Sequence, residues 1–350
     1  MEKYKHVIIF IFCVALSMST LTWHMRDGRR HFKKHNPPFK KIRPKFSELD
    51  EESQNIIEDV RRRYLRNWRK LEHNFQEIRS QLHDDCNGFD NAIMTQSNTP
   101  EGSKIIYDTS TKSLVVGKDL VKLLLKEHPF QNKTWKTCAV VGNGGILSDS
   151  NCGKRIDSAD FVFRCNLPPL VEEFTEDVGL KTSLVTANPS ILRTMYRSLN
   201  ERRRPFAEKL QSYGNAMVLL PAFSYNTNTE LCFRAAYTME DFNVSARPVF
   251  FNPQYLIKLG KFWFSKGVNS PRLSSGLMIV SLALEVCSNV EVYGFWPYRN
   301  HPSELYSLLQ HYYDDAPTNL KVHSMPQEFK HLLQLHNEGV LRLHLDVCEK

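Results

Sequence analysis

From residue 137 onward, short apolar runs alternate with amphipathic stretches, and this alternation restricts the fold more than any other feature of the chain. Residues 138–141, 161–164, 183–187, 217–220, 249–251, 290–293 and 320–323 read as strands. Helical patterns lie between them, most clearly at 191–212, 253–266, 275–287 and 326–338. Such an order predicts an α/β fold with a doubly wound, mostly parallel sheet covered by helices on both faces. Ligands of these sheets sit beyond the carboxyl ends of the strands. Chemistry is therefore sought where each apolar run gives way to polar residues.

Upstream the texture differs. Ile57, Val60, Tyr64, Trp68, Leu71, Phe75, Ile78 and Leu82 recur at three- and four-residue steps. After a Ser47–Asp50 start signal they predict one amphipathic helix, packed on the chain's own body or on a partner chain. Residues 84–115 are polar and irregular. Residues 26–46 read as a solvated linker, with eight Lys or Arg between Arg26 and Arg43 against Asp27 alone. That stretch carries much of the formal charge of +8. No recognition helix or RNA-binding aromatic pattern accompanies it, so nucleic acid is not an expected partner.

Residues 7–23, VIIFIFCVALSMSTLTW, are uncharged. As a helix they would span roughly 25 Å, short for a plasma-membrane span and suited to a thinner early secretory membrane. No small-residue cleavage site follows, which favours an uncleaved anchor over a signal peptide. The flanking Lys and Arg oppose the positive-inside rule for a lumenal body. Seven cysteines beyond the anchor, with no C-x-x-C pair, and the sequons at Asn132 and Asn243 favour that body all the same. The expected layout is a cytoplasmic tail at 1–6, a transmembrane anchor at 7–23, a stem at 24–115 and a folded domain at 116–350.

Within that domain the first strand runs into Asn143-Gly144-Gly145. Glycine there lets backbone approach a ligand and leaves N–H groups for a phosphate. A dinucleotide fingerprint needs a third glycine where Leu147 stands, and an acidic residue where Asn166 stands. A nicotinamide enzyme is accordingly disfavoured. The next two strands end at Asn166 and Asn188, so three successive strands deliver an asparagine to one edge. Together they suit a hydroxyl-rich nucleotide or sugar, although each singly is also an ordinary turn residue. Ser274-Ser275-Gly276 opens a helix, which fits an anion or a plain N-cap. His323, closing a strand before Pro326 and Glu328, suits a general base in a mildly acidic lumen. No D-x-D or tight carboxylate cluster points to a divalent metal.

These segments resemble a known family. CAVVGNGGILSDSNCGKRIDSADFVFRCNLPP is similar to the long sialyl motif of animal sialyltransferases, and RLSSGLMIVSLALEVCSNVEVYGFW to their short motif. HYYD at 311–314 resembles the third motif, and His323 to Glu328 the very short H-x-x-x-x-E motif. The four stand in the family's order over roughly residues 135–348. The wording GNGGIL, RCNLPP, TANPS and YGFWP, with a C-terminal cysteine, is similar to the α2,8-sialyltransferase branch. Ser275 and Gln310 depart from the family's usual threonine and histidine.

The resemblance implies a Rossmann-like, GT-A-variant glycosyltransferase. It would transfer sialic acid from CMP-sialic acid to a sialylated glycolipid or glycoprotein, without metal or other cofactor and with inversion. It implies donor binding by Asn143, Asn166, Ser274, Ser275, Gly276 and Trp296, lining by Asn188, Pro189 and Ser190, and catalytic roles for His323 as base and His311 at the departing phosphate. It also implies disulfides Cys138–Cys287 and Cys152–Cys348 and a Golgi type II membrane setting; a dimer through the stem, by way of the amphipathic stripe, is a further option. Segments 221–247 and 297–310, flanking the site, are the candidates for acceptor choice. The rival reading is a lumenal glycan-binding protein without catalysis.

Overall fold

The structure is a computed structural model, and it describes residues 51–64, 67–131, 133–303, 306–316 and 324–348. The anchor run 7–23, the basic linker, Asn132, and the expected strand 320–323 with His323 lie outside the described residues.

Seven strands form one sheet: β3 Trp135–Val141, β4 Phe161–Arg164, β5 Leu184–Thr186, β6 Met217–Leu220, β7 Arg247–Phe250, β8 Cys287–Tyr293 and β9 Arg342–His344. Their order is β7-β6-β5-β4-β3-β8-β9, and every neighbouring pair is parallel. A separate antiparallel hairpin pairs β1 Lys104–Ile106 with β2 Ser113–Val115. Strand side chains alternate between two buried layers because their period is two. Cys138 and Val140 face the layer holding Phe75, Trp263 and Leu282. Ala139 and Val141 face the layer holding Phe206, Leu210 and Leu231. Helices thus cover both faces, as the sequence predicts for a doubly wound α/β sheet.

The chain leaves β3 toward β7 on one side, then crosses back to lay β8 on the other side of β3. Connections after β3 and β8 consequently diverge and open a crevice at their carboxyl ends, which is the ligand position of such sheets.

The upstream residues correct one expectation. The single helix over 47–82 is two helices, Glu51–Arg63 and Glu72–Asp85. Between them the chain bonds outward: the Leu71 backbone N–H donates to Gly339 O at 3.0 Å, and the Lys70 side chain donates from Nζ to Ser288 O at 2.6 Å. Leu71 is extended, at φ −108° and ψ 100°. The Leu71 bond takes the place of an intrahelical one that a continuous helix would need. The apolar stripe then packs inward, with Ile57, Val60, Phe75 and Leu82 buried in the chain's own core.

The helical pattern 191–212 divides into Pro189–Thr194, a 3-10 turn Arg197–Leu199, and Arg203–Gln211. Arg197, Ser198 and Leu199 are all left-handed, with φ of 46°, 56° and 60°. Burial of Leu199 and a bond from Arg234 to Ser198 O at 2.9 Å hold that turn. The helix Asn226–Asp241, the hairpin and β9 are elements the sequence patterns did not predict.

Candidate active site

The edge is built first from close backbone packing. Gly142 N–H donates to Tyr293 O at 2.7 Å, and Gly144 N–H to Gly294 O at 3.0 Å. A Cβ on Gly144 would stand 2.7 Å from Gly294 O, and one on Gly145 2.1 Å from Leu309 O. These glycines therefore allow loop to press on loop across the β3–β8 crevice, and the Gly144 N–H is already bonded within the protein. This differs from the phosphate-cradle role expected of it.

The third-motif segment seals the same loop. Tyr312 N–H donates to Asn143 O at 2.9 Å, beside a bridge pairing Gly144 with His311. His311 Nδ1 lies 2.7 Å from Asp314 Oδ1, and its ring stacks on Tyr313 at 5.2 Å. Burial opposes ionisation of Asp314, yet the His311 and Ala316 hydrogen bonds hold its carboxyl below the usual range. A carboxylate on Nδ1 fixes the ring and leaves Nε2 as its outward nitrogen.

The three asparagines converge. Asn143 Nδ2 donates to Cys165 O at 2.9 Å, whereas its Oδ1 is buried and without a hydrogen-bond partner among the described residues. Asn166, left-handed at φ 56°, accepts the Asn188 N–H on Oδ1 at 3.1 Å. Asn tolerates that conformation better than most residues. Asn188 Nδ2 in turn donates to Ser275 Oγ at 3.4 Å. Asn166 and Asn188 are thus tied to one helix start, and Asn143 to the backbone just before Asn166. Asn188 precedes helix Pro189–Thr194, in which Pro189 is buried and Ser190 is exposed.

Helix Ser275–Val286 is capped by Ser274, whose Oγ accepts the Leu277 N–H at 3.1 Å and donates to Glu328 Oε2. Glu328 Oε1 also accepts the Ser274 N–H at 2.8 Å. Ser274 is fully engaged inside the protein, so it frames the turn, while half-buried Ser275 faces Asn188. Gly276 makes room for Phe295, whose ring would stand 2.7 Å from an added Cβ. Burial pushes the Glu328 carboxyl up to about 7, against the Ser274 bonds. Trp296 is 5% exposed, donates Nε1–H to Asn300 O at 2.8 Å and packs against Tyr298 and Phe329. Sequence patterning did not single out Phe295, because a lone aromatic beside a glycine carries no periodic signal.

Both disulfides pair as expected, Cys138–Cys287 and Cys152–Cys348, and Cys86, Cys165 and Cys232 are free and buried. The first joins the middle of β3 to the amino end of β8. The second ties the segment after β3 to the chain's end, where Cys348 N–H also donates to Ser150 O at 2.8 Å. Asn243 is exposed at the end of helix Asn226–Asp241.

A parallel sheet with an uncharged amide and hydroxyl edge at its switch point defines a Rossmann-like α/β protein built to hold a polar, hydroxyl-rich ligand. The family model described as glycosyltransferase family 29 (sialyltransferase) matches residues 93–340. The human protein named alpha-2,8-sialyltransferase 8E is 39% identical, over 98% of this chain and 96% of its own. Human alpha-2,8-sialyltransferase 8F is 42% identical over 81% of this chain and 71% of its own. A Xenopus tropicalis alpha-N-acetylneuraminide alpha-2,8-sialyltransferase is 44% identical over 81% and 82%. The chain belongs to glycosyltransferase family 29, the sialyltransferases. It is a glycosyltransferase, and no observation favours the non-catalytic glycan-binding reading.

Proposed function

We propose that this chain moves sialic acid from CMP-sialic acid to a hydroxyl of a sialylated glycan, forming an α2,8 linkage. The linkage rests on the names of its relatives and on the GNGGIL, RCNLPP and TANPS wording. The observation that carries the donor site is the relay from Asn166 through Asn188 to Ser275, with the buried Asn143 Oδ1 beside it. An unpaired buried acceptor is costly unless a ligand donor meets it.

In the proposed reaction the acceptor oxygen attacks the anomeric carbon, the bond from that carbon to the CMP phosphate breaks, and CMP leaves as an anion. His323 takes the acceptor's proton. It stands one residue before Ser324, whose carbonyl accepts the Glu328 N–H at 3.0 Å, and Glu328 is locked to Ser274. His311 and the helix start at 275–277 balance the departing charge. Amides, hydroxyls and imidazoles suffice for this step, so a divalent ion is not required, in keeping with a GT-A-variant fold working with inversion.

The setting we propose is a Golgi membrane, with 7–23 as anchor, 24–115 as stem and 116–350 in the lumen. Two disulfides and an exposed sequon at Asn243 support an oxidising, glycosylating compartment. Among the described residues no helix is long and apolar enough to cross a membrane.

The test incubates the full chain with CMP-sialic acid and a sialylated acceptor in EDTA, then reads the product's linkage. An α2,8 product is expected. His323→Ala should abolish transfer and leave CMP affinity nearly unchanged; retained turnover would remove His323 as base.

A further inference from the structure

The hairpin β1–β2 reaches the same edge from outside the family motifs. Its turn sends Asp108 N–H to Phe223 O at 3.1 Å and the Thr109 hydroxyl to Ser224 O. Ser224 lies four residues past the end of β6, the neighbour of the strand that leads into Asn188. From the other side comes Arg272, two residues before the Ser274 cap. Its Nη2 donates to Ser224 Oγ and stands 3.7 Å from Asp108 Oδ2. The Arg272 side chain is 14% exposed and that of Asp108 7%, and Asp108 Oδ1 has no hydrogen-bond partner among the described residues. The guanidinium also sits 5.5 Å from the centre of the Tyr225 ring, which is 43% exposed.

A carboxylate, a hydroxyl and an aromatic face thus orient one planar cation at the site's rim. A guanidinium so oriented matches a carboxylate's two oxygens, and an exposed ring beside it offers a platform for a pyranose face. An acceptor that ends in sialic acid presents this pair of features: one carboxylate and one sugar ring. Ser224 and Tyr225 also fall in segment 221–247, where acceptor choice is expected.

Resting on the proposed function, we propose that Arg272 selects the anionic acceptor by pairing with the carboxylate of its terminal sialic acid. Asp108 and Ser224 are positioning residues that aim the guanidinium, and Tyr225 stacks on the sugar. The donor carries a carboxylate too, but Arg272 lies on the β6 side of the Ser274 turn, outside the relay that joins Asn166 to Ser275.

The test uses the full-length enzyme with a sialylated acceptor and the same acceptor methyl-esterified at its terminal carboxylate. Wild type should show an acceptor KM about 10- to 100-fold higher for the ester, the range a charge-assisted hydrogen bond commands. Arg272→Gln should raise KM for the free acid by a similar factor and lose the discrimination, with donor KM and CMP Kd unchanged. Arg272→Lys, which keeps the charge without the fork, should recover part of it, and Asp108→Asn should give an intermediate value at unchanged donor KM. Wild type indifferent to esterification overturns the proposal without any variant. So does a folded Arg272→Gln or Arg272→Lys that discriminates as wild type does, or that raises donor KM instead. A wild type that transfers nothing to the free acid would strike the proposed function itself.

Discussion

Glu328 Oε1 accepts the backbone N–H of Ser274 at 2.8 Å, which ties together the starts of two helices whose residues lie 54 positions apart. The very short motif and the short motif therefore meet through one carboxyl group.

Replacing Glu328 with Ala should leave the buried Ser274 N–H and hydroxyl without their partner. A cost of about 1–3 kcal/mol is expected for an unsatisfied buried donor. Chemical denaturation should show the loss, and CMP affinity should fall with it because the cap also frames Ser275. Glu328→Gln, which keeps an acceptor oxygen, should recover most of both. An Ala variant as stable as wild type would show that the cap is dispensable.

Glu285 governs a pH dependence at the opposite end of the same helix. Its side chain is buried, accepts the Gly88 N–H at 2.6 Å, and is pushed by burial up to about 8. Its folded pKa exceeds its unfolded one, so the unfolded chain releases this proton first. Stability from this group is complete below the unfolded value near 4.5 and is lost as pH rises toward 8. Glu285→Gln should match wild type near pH 5 and gain on it steadily to pH 8, by a few kcal/mol at most at about 1.36 kcal/mol per pKa unit. Parallel stability curves would exclude the titration.

Glu291 runs the other way. Burial works against its ionisation, yet the Arg155 fork at 2.8 Å, with His344 and Tyr293, holds its carboxyl far below the usual range. Its contribution is present above the unfolded value and disappears as pH falls through the acid range. Arg155→Gln should flatten the acid limb of the stability curve, measured between pH 5 and 2.

Gly144 and Gly260 separate two roles of glycine. An Ala at 144 meets the Gly294 carbonyl at 2.7 Å, whereas an Ala at 260, within helix Pro253–Ser265, meets nothing within 4 Å. Gly144→Ala should destabilise by about 1–3 kcal/mol and weaken CMP binding. Gly260→Ala should stabilise by roughly 0.5–1 kcal/mol at unchanged activity. Thermal melts and CMP titration check both.

The disulfides close spans of 149 and 196 residues. Each should contribute about 3–5 kcal/mol, chiefly by limiting the unfolded chain. Replacing both Cys138 and Cys287 with Ser should lower Tm substantially, and non-reducing peptide mapping of wild type should recover both pairs. A Tm unmoved by that double change would leave the bridge without a stabilising role.

Six of the seven sheet strands, the helix starts at 253 and 275 and the asparagines that end three of those strands were legible in the order of residues, because apolar period and capping chemistry are local. Phe161–Arg164 and Met217–Leu220 match their predicted bounds for that reason. Non-local bonds decided the rest. The backbone bond from Leu71 to Gly339 breaks a helix whose stripe runs on unbroken. Nor does any local pattern place Asp108 beside Arg272, 164 positions away. The sequence alone determined which residues take part in the sheet edge, since periodicity acts between near neighbours. Only the tertiary structure decided which carboxyl meets which amide or guanidinium, because those partners are chosen by packing across the sheet.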